Sequence, residues 1–296
     1  MANHALDSTQ VEHYNEEGYL IVRDLLPPPA LKPLIAELEQ KVDEAAEEAV
    51  QQGLLDASST FAHAPFDTRL ARMVQACVDP TWLWQQVHGK QHKTAGMFTL
   101  RTWPALLDVA ESLIGPEILA HPQTVLRASL PETAETVVPW HQDLAYLNPE
   151  EAGETLIVNF WIPLVEATAE NGCLQVIAGS HRAGLLPHDH RETIYIGVGE
   201  TDMPEGDIVT CEVQPGDVLL TIERLLHRSL PNRSEIVRWS VDSRYCRIGL
   251  PTGRPSKPGF VARSRRDSGS VTGSHHEWRQ LFVDAGLDWT EKKKTV

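Results

Sequence analysis

Pro139-Trp140-His141-Gln142-Asp143-Leu144 opens an extended stretch of this chain, and it is read together with His227, 84 residues beyond Asp143. Side chains alternate along a strand with period two, so a His-x-Asp pair on one extended segment turns both groups to the same face. A distant histidine then completes a set of two imidazoles and one carboxylate. Such a set occupies one face of an iron ion and leaves the other positions open, the signature of non-haem Fe(II) oxygenases. The candidate ligands are therefore His141, Asp143 and His227.

The chain holds 13 histidines, so the others need separate readings. His188-Asp189-His190 offers a competing spacing, but it follows Pro187 in a polar stretch before Arg191-Glu192 and reads as a surface loop. His275-His276, after Gly269-Ser270 and Gly273-Ser274, reads as a flexible segment. Only His141-x-Asp143 combines a strand start with a distant partner that has polar company of its own.

Working outward, the chain has β texture from about Ile118 onward. Short apolar runs (Thr124–Leu126, Leu156–Ile162, Cys173–Ile177, Val209–Val213, Asp217–Thr221, Val237–Cys246) alternate with turn clusters such as Glu170-Asn171-Gly172, Gln214-Pro215-Gly216-Asp217 and Pro231-Asn232-Arg233-Ser234. Many short strands with such turns argue for a sandwich or jelly roll. The first third reads mainly helical. A short helix over Gln10 to Gly18 precedes a strand at Tyr19–Val22. Pro27-Pro28-Pro29 opens a long amphipathic helix with Leu31, Leu34, Ile35, Leu38, Val42, Ala45, Ala49 and Val50 on one stripe and Gly53 as its stop. A second helix is expected from Pro104 to Ile114, capped by Thr102 and ended by Gly115. Residues 55–96 suit helices and loops packed over something. The expectation is one domain over residues 1–296, mainly β with N-terminal and flanking helices: a double-stranded β-helix (jelly roll, cupin-like). Its helical part covers about 9–116, its core about 117–250, and a C-terminal extension 251–296.

Composition narrows the partners. Hydrophobic content of 42% and charged content of 23% are ordinary for a globular protein. A net charge of −15 opposes binding to nucleic acid or anionic membrane. Cys77, Cys173, Cys211 and Cys246 form no C-x-x-C pair, which argues against a disulfide framework or structural zinc and for a reducing cytoplasm. No apolar run approaches the roughly 18 residues that span a bilayer, and the polar start at Met1 to Gln10 lacks a signal-peptide core. The end, Glu291 to Val296, reads as frayed and solvated.

Two residues after His227 support it. Ser229 shares its strand face. Arg238 lies eleven residues on, past the turn at 231–234, and a hairpin there would return it toward the interior beside His227. A buried arginine wants a carboxylate and binds one with a bidentate fork. A dicarboxylate co-substrate near the iron would supply it; an internal Asp or Glu is the alternative.

The chain resembles the phytanoyl-CoA dioxygenase family of Fe(II)/2-oxoglutarate oxygenases. The segments that carry the resemblance are Trp140–Tyr146, Phe160-Trp161-Ile162-Pro163-Leu164, Glu170–His181, Gln214–Leu220, and Leu226–Asn232 with Arg238. Tyr14–Tyr19 and Leu25-Leu26 also look like the family's opening, so the likeness runs from about residue 9 to 248. It implies that His141, Asp143 and His227 bind Fe(II) and that Arg238 pairs with the distal carboxylate of 2-oxoglutarate. Ser229 and Trp161 fall where the family lines the co-substrate pocket, and Gln142 is a further candidate. Gly179-Ser180-His181 resembles a structural turn, so His181 is not counted as a ligand. Arg127, on the strand before the His-x-Asp segment, has three readings: the 2-oxoglutarate carboxylate beside the metal, the substrate, or the surface.

The chemistry so implied is hydroxylation of an unactivated C–H with O2 and 2-oxoglutarate, releasing succinate and CO2. Asp143 itself argues against a halogenase, which needs a small residue there. Desaturation, epoxidation and cyclisation remain as other outcomes. So do a jelly-roll metal enzyme that does not use 2-oxoglutarate and a non-catalytic binding module. Arg238 with Ser229 opposes the former and the intact ligand set the latter. No basic cluster stands out for a CoA phosphate, so the substrate expected is a small metabolite or natural-product intermediate. The sequence leaves the oligomeric state open.

Overall fold

The computed structural model describes residues 4–89, 92–190 and 195–287. Its helices in chain order are α1 (Ser8–Glu17), α2 (Pro28–Gln51), α3 (Phe66–Ala76), α4 (Pro80–Val87), α5 (Ala95–Arg101), α6 (Pro104–Ile114), α7 (Pro149–Ala152) and α8 (His275–Asp284). The strands are β1 (Tyr19–Val22), β2 (Ile118–Ala120), β3 (Val125–Ser129), β4 (Val158–Pro163), β5 (Leu174–Ile177), β6 (Asp189–His190), β7 (Ile196–Gly197), β8 (Ile208–Cys211), β9 (Val218–Ile222), β10 (His227–Ser229), β11 (Arg238–Arg247) and β12 (Phe260–Arg263).

Seven of these strands form the larger sheet. Its order is β1-β9-β4-β11-β2-β12, with β3 pairing β11 along the same edge as β2. A smaller sheet runs β10-β5-β8. The strand pairs are antiparallel throughout both sheets. Trp161 and Leu219 of the larger sheet pack with Leu174, Val176 and Cys211 of the smaller one, which closes a sandwich. The opposite face of the larger sheet is covered by helices. Leu34, Leu38, Val42 and Leu100 join Phe160, Leu220, Trp239 and Val241 in one core, and Trp239 stacks on Phe66 of α3 at 5.0 Å. This is a jelly roll with helices on its outer face, and the strand β12 comes from beyond residue 250.

Local rules explain the start of the chain. Asp7 and Gln10 form a reciprocal capping box on α1, and Gly18 ends the helix at φ 80°. A side chain at Gly18 would strike His181, and the Gly179 amide donates to Glu17 O at 2.8 Å. The turn at 179–181 therefore docks on the end of α1, with His181 Nε2 at 3.1 Å from Asn15 O. His181 serves this turn, bonded to the end of α1.

Four expectations need correction. Thr102 does not cap α6: its hydroxyl bonds back to Phe98 O at 2.8 Å, and α6 starts on Trp103 with Pro104 at its first position. His275-His276 is no loose segment, because Ser274 caps Glu277 N and α8 begins there, with Trp278 buried against Phe260. His188 is half-buried and its Nε2 accepts from Gln142 N at 2.9 Å. Finally, β10 and β11 are not a hairpin. β10 pairs β5 in the smaller sheet and β11 pairs β3 and β4 in the larger one, so the turn at 231–234 crosses between sheets. The Glu291–Val296 end lies outside the described residues. No described helix is long and apolar enough to cross a membrane.

Candidate metal centre

His141 and His227 are held by backbone. Each amide donates to the other's carbonyl at 3.0 Å, so the 138–141 segment extends the smaller sheet beyond β10. Each imidazole is then oriented by its own chain. His141 Nδ1 lies 2.8 Å from Pro139 O, and His227 Nδ1 lies 3.0 Å from Leu225 O. A carbonyl accepts only, so both Nδ1 atoms carry the proton and both Nε2 lone pairs face inward. Burial, with His141 beside it, pushes the His227 imidazole down to about 4 and so keeps it neutral.

Asp143 arrives differently from the expectation of one extended segment. Gln142 is extended, but Asp143 begins a 3-10 turn over Asp143–Tyr146. The carboxylate still reaches the imidazoles: Oδ1 is 3.8 Å from His141 Nε2 and Oδ2 is 3.9 Å from His227 Nε2. The three ligand atoms lie within 4.8 Å of one another, all on buried residues. Burial works to raise the Asp143 carboxyl, but the Arg244 guanidinium and the two imidazoles outweigh it and hold it well below the usual carboxylate range. Two imidazoles and one carboxylate converging on a point could hold a divalent transition metal through N, N and O.

The cavity beside these atoms is lined from both sheets: Arg127, Val138, Asn159, Phe160, Trp161, Leu174, Thr221, Ser229, Arg238 and Asp242 surround the ligand set. Arg238 faces His227 from the opposite sheet. It is 1% exposed, its Nη1 donates to Ser240 Oγ at 2.8 Å, and its Nε is buried without a partner. Its guanidinium sits 5.1 Å from the Trp161 ring centre. Among the described residues it forms no ion pair, and burial with Arg127 nearby pushes it down to about 10. An unpaired buried cation at the end of a cavity is a receptor for an anion.

Ser229 lines the same cavity, although its Oγ already accepts from Val138 N at 2.8 Å. Arg127 does not reach the outer surface. It lines the cavity, and its Nε donates to Asp242 Oδ2 at 2.6 Å. Burial disfavours its charge, but Asp242 more than compensates and raises it above its ordinary value. Gln142 turns away from the cavity. Its amide donates to Gly184 O at 2.7 Å and Arg224 O at 2.6 Å and accepts from Leu186 N at 2.8 Å. Gln142 itself is extended, so its side chain leaves the backbone on the face opposite that of His141.

Four polar residues of the site escaped the sequence reading: Asp242, Arg244, Asn159 and Thr221. The signal was present in the alternation along β11, where Arg238, Ser240, Asp242 and Arg244 share one face. Arg244 Nη2 donates to Asp143 Oδ1 at 2.6 Å and Nε donates to Asn159 Oδ1 at 2.8 Å.

Comparison with known proteins agrees with this geometry. A family model for phytanoyl-CoA dioxygenase (PhyH) matches residues 14–240. A probable phytanoyl-CoA dioxygenase of Caenorhabditis elegans is 26% identical over 259 residues, covering 83% of this chain and 77% of that protein. The 1-deoxypentalenic acid 11-beta-hydroxylase of Streptomyces arenae is 26% identical over 245 residues, covering 78% of each. Among solved structures, the non-haem monooxygenase ThoJ in its apo form shares the fold with a TM-score of 0.61, at 21% identity and 96% coverage of both chains.

Proposed function

Since the chain belongs to the phytanoyl-CoA dioxygenase family, enzymes of the non-haem Fe(II)/2-oxoglutarate type, we propose that it hydroxylates an unactivated C–H bond of a small organic metabolite. Succinate and CO2 are the co-products. The observation that carries this reading is the pairing of two features across one cavity. His141, Asp143 and His227 converge on one side, and the unpaired Arg238 guanidinium waits on the other.

The donor set fits the implied group, since two histidines and one carboxylate with open positions suit Fe(II). When bound, iron would supply the activation of O2, the oxidant for C–H cleavage, with 2-oxoglutarate as the two-electron reductant. The chain's own residues do the rest. His141, Asp143 and His227 hold the ion on one side. Arg238 binds the distal carboxylate of 2-oxoglutarate, oriented by Ser240 and flanked by the Trp161 ring. Ser229 keeps the Val138 strand against β10 and so shapes the wall between ligands and clamp. Arg127, neutralised by Asp242, contributes a polar wall without adding net charge.

The absence of a basic cluster in the sequence favours a small metabolite or natural-product intermediate over an acyl-CoA. The relative from Streptomyces arenae, named for hydroxylating 1-deoxypentalenic acid, supports that preference. Two measurements test the proposal. Anaerobic addition of 2-oxoglutarate to the Fe(II)-loaded protein should give a metal-to-ligand charge-transfer band, and aerobic turnover with a metabolite library should release succinate in step with a hydroxylated product. A metal-loaded protein that binds no 2-oxoglutarate and forms no succinate would turn the assignment to a metal enzyme of another kind.

A further inference from the structure

We propose that Arg244 is a positioning residue that restricts Asp143 to a single metal-binding oxygen; this rests on the ligand set described above. Arg244 lies on β11, 2% exposed, and makes one hydrogen bond to Asp143. Its Nη2 donates to Oδ1 at 2.6 Å. The side of the guanidinium that carries Nε is engaged elsewhere, donating to Asn159 Oδ1 at 2.8 Å, and Asn159 Nδ2 donates to Thr221 Oγ1 at 3.3 Å. The prop thus runs across three adjacent strands, β11, β4 and β9, all of its members buried.

A buried arginine and aspartate whose purpose is mutual neutralisation favour the fork, two parallel bonds that occupy both carboxylate oxygens. Arg244 does the opposite. Asn159 holds its Nε and its Nη1 is buried without a hydrogen-bond partner among the described residues, so Nη2 alone donates to Asp143, and Oδ2 accepts no hydrogen bond among the described residues. One oxygen is held and the other is left for a metal. The distinction matters because a free carboxylate chelates through both oxygens. Chelation would take one of the positions that a two-histidine, one-carboxylate site keeps open. A co-substrate that binds through two atoms needs those positions. Partners of metal-bound carboxylates commonly act in this way, orienting the ligand without touching the ion.

The test uses Mn(II) alone as the first probe, on the full chain. Water bound to the ion is counted from the deuteron modulation of its electron spin echo in D2O. The wild-type protein and Arg244→Met are compared. In the variant, Asp143 should chelate, so bound Mn(II) should carry one water fewer while its dissociation constant stays equal to or below that of wild type. With Fe(II) under anaerobic conditions, the dissociation constant for 2-oxoglutarate should rise about 10- to 100-fold, and Arg244→Lys should lie between. Should Arg244→Met not fold, Asn159→Ala carries the same test, because it releases the Nε end of the prop and leaves the charge in place. Identical water counts and unchanged 2-oxoglutarate binding in the folded variants overturn the role of Arg244. Loss of Mn(II) binding in Arg244→Met also overturns it, since the residue would then be needed to build the site at large. A wild-type protein that takes up no Mn(II) strikes instead at the metal reading on which this one stands.

Discussion

His141 and His227 exchange both backbone hydrogen bonds, N to O in each direction at 3.0 Å. The strand pair that carries the two imidazoles is therefore built without using them. Each ring adds one hydrogen bond to a nearby carbonyl, and the His141 ring lies against those of His227 and Tyr146. His141→Ala, His227→Ala and Asp143→Ala should each abolish turnover and weaken Fe(II) binding while the far-UV circular dichroism stays that of wild type. Wild-type iron affinity and succinate formation in any one of them would remove that residue from the ligand set.

Arg238→Ala gives the sharpest measurement on co-substrate binding. It leaves the distal carboxylate of 2-oxoglutarate in a buried place without its cation, a loss of about 3–5 kcal/mol, or roughly a hundred- to several-thousand-fold in affinity. Iron affinity should hardly change. Arg238→Lys should recover part of the loss, because an ammonium cannot reproduce the fork. Anaerobic titration of the charge-transfer band reads this directly, and an unshifted dissociation constant in folded Arg238→Ala would dismiss the assignment.

Gln142→Ala separates a pocket residue from a latch. Three backbone groups, Gly184 O, Arg224 O and Leu186 N, lose their partner. These groups are half-buried, so each costs at most about 1–3 kcal/mol when left unsatisfied, less where water enters. The variant should melt at a lower temperature and keep its intrinsic 2-oxoglutarate affinity at temperatures where it is folded. A large affinity loss with an unchanged melting point would return Gln142 to the pocket.

Stability should fall as the pH drops from neutrality. Burial pushes His92 down to about 4 and His121 down to about 3, with His121 Nδ1 accepting from Gln123 N and so closed to a proton. In the unfolded chain both return to about 6.5. Between that value and the folded values, the unfolded state binds more protons, so stability is complete above about 6.5 and is lost progressively below it. The slope approaches about 1.4 kcal/mol per pH unit for each histidine. Denaturant unfolding of the metal-free protein at pH 7 and pH 5 checks the sign. A flat profile over that interval would contradict both burial assignments.

How much of this could be read from the chain depended on the range over which each rule acts. The His-x-Asp spacing and the position of Arg238 survive any small change in strand length, so their convergence was legible. The same period-two rule, applied to Gln142, would have turned it away from the cavity, and applied onward from Arg238 it would have found Asp242 and Arg244. The link between β10 and β11 was misread because the Pro231–Ser234 cluster has the composition of a hairpin turn, while strand pairing is decided by partners elsewhere in the chain. Thr102 looked like a cap by residue type, yet the preceding helix α5 had already claimed its hydroxyl. His188 could not be placed from sequence, since its partner is a backbone amide 46 residues away.

The crossing at 231–234 has a consequence for size selection. With His227 on one sheet and Arg238 on the other, the interval between the metal end and the carboxylate end of the cavity follows the spacing of the two layers, roughly 10 Å in any sandwich. That spacing belongs to the whole interior, to side chains such as Leu219 and Val176 that hold the layers apart, and to no single loop. On the proposed binding of 2-oxoglutarate, the two sheets would act as a caliper for keto diacids. Oxaloacetate, one carbon shorter, leaves a gap at one jaw, and 2-oxoadipate, one carbon longer, has to buckle between them. Selectivity of this kind would respond to changes deep in the core that alter the spacing of the two layers.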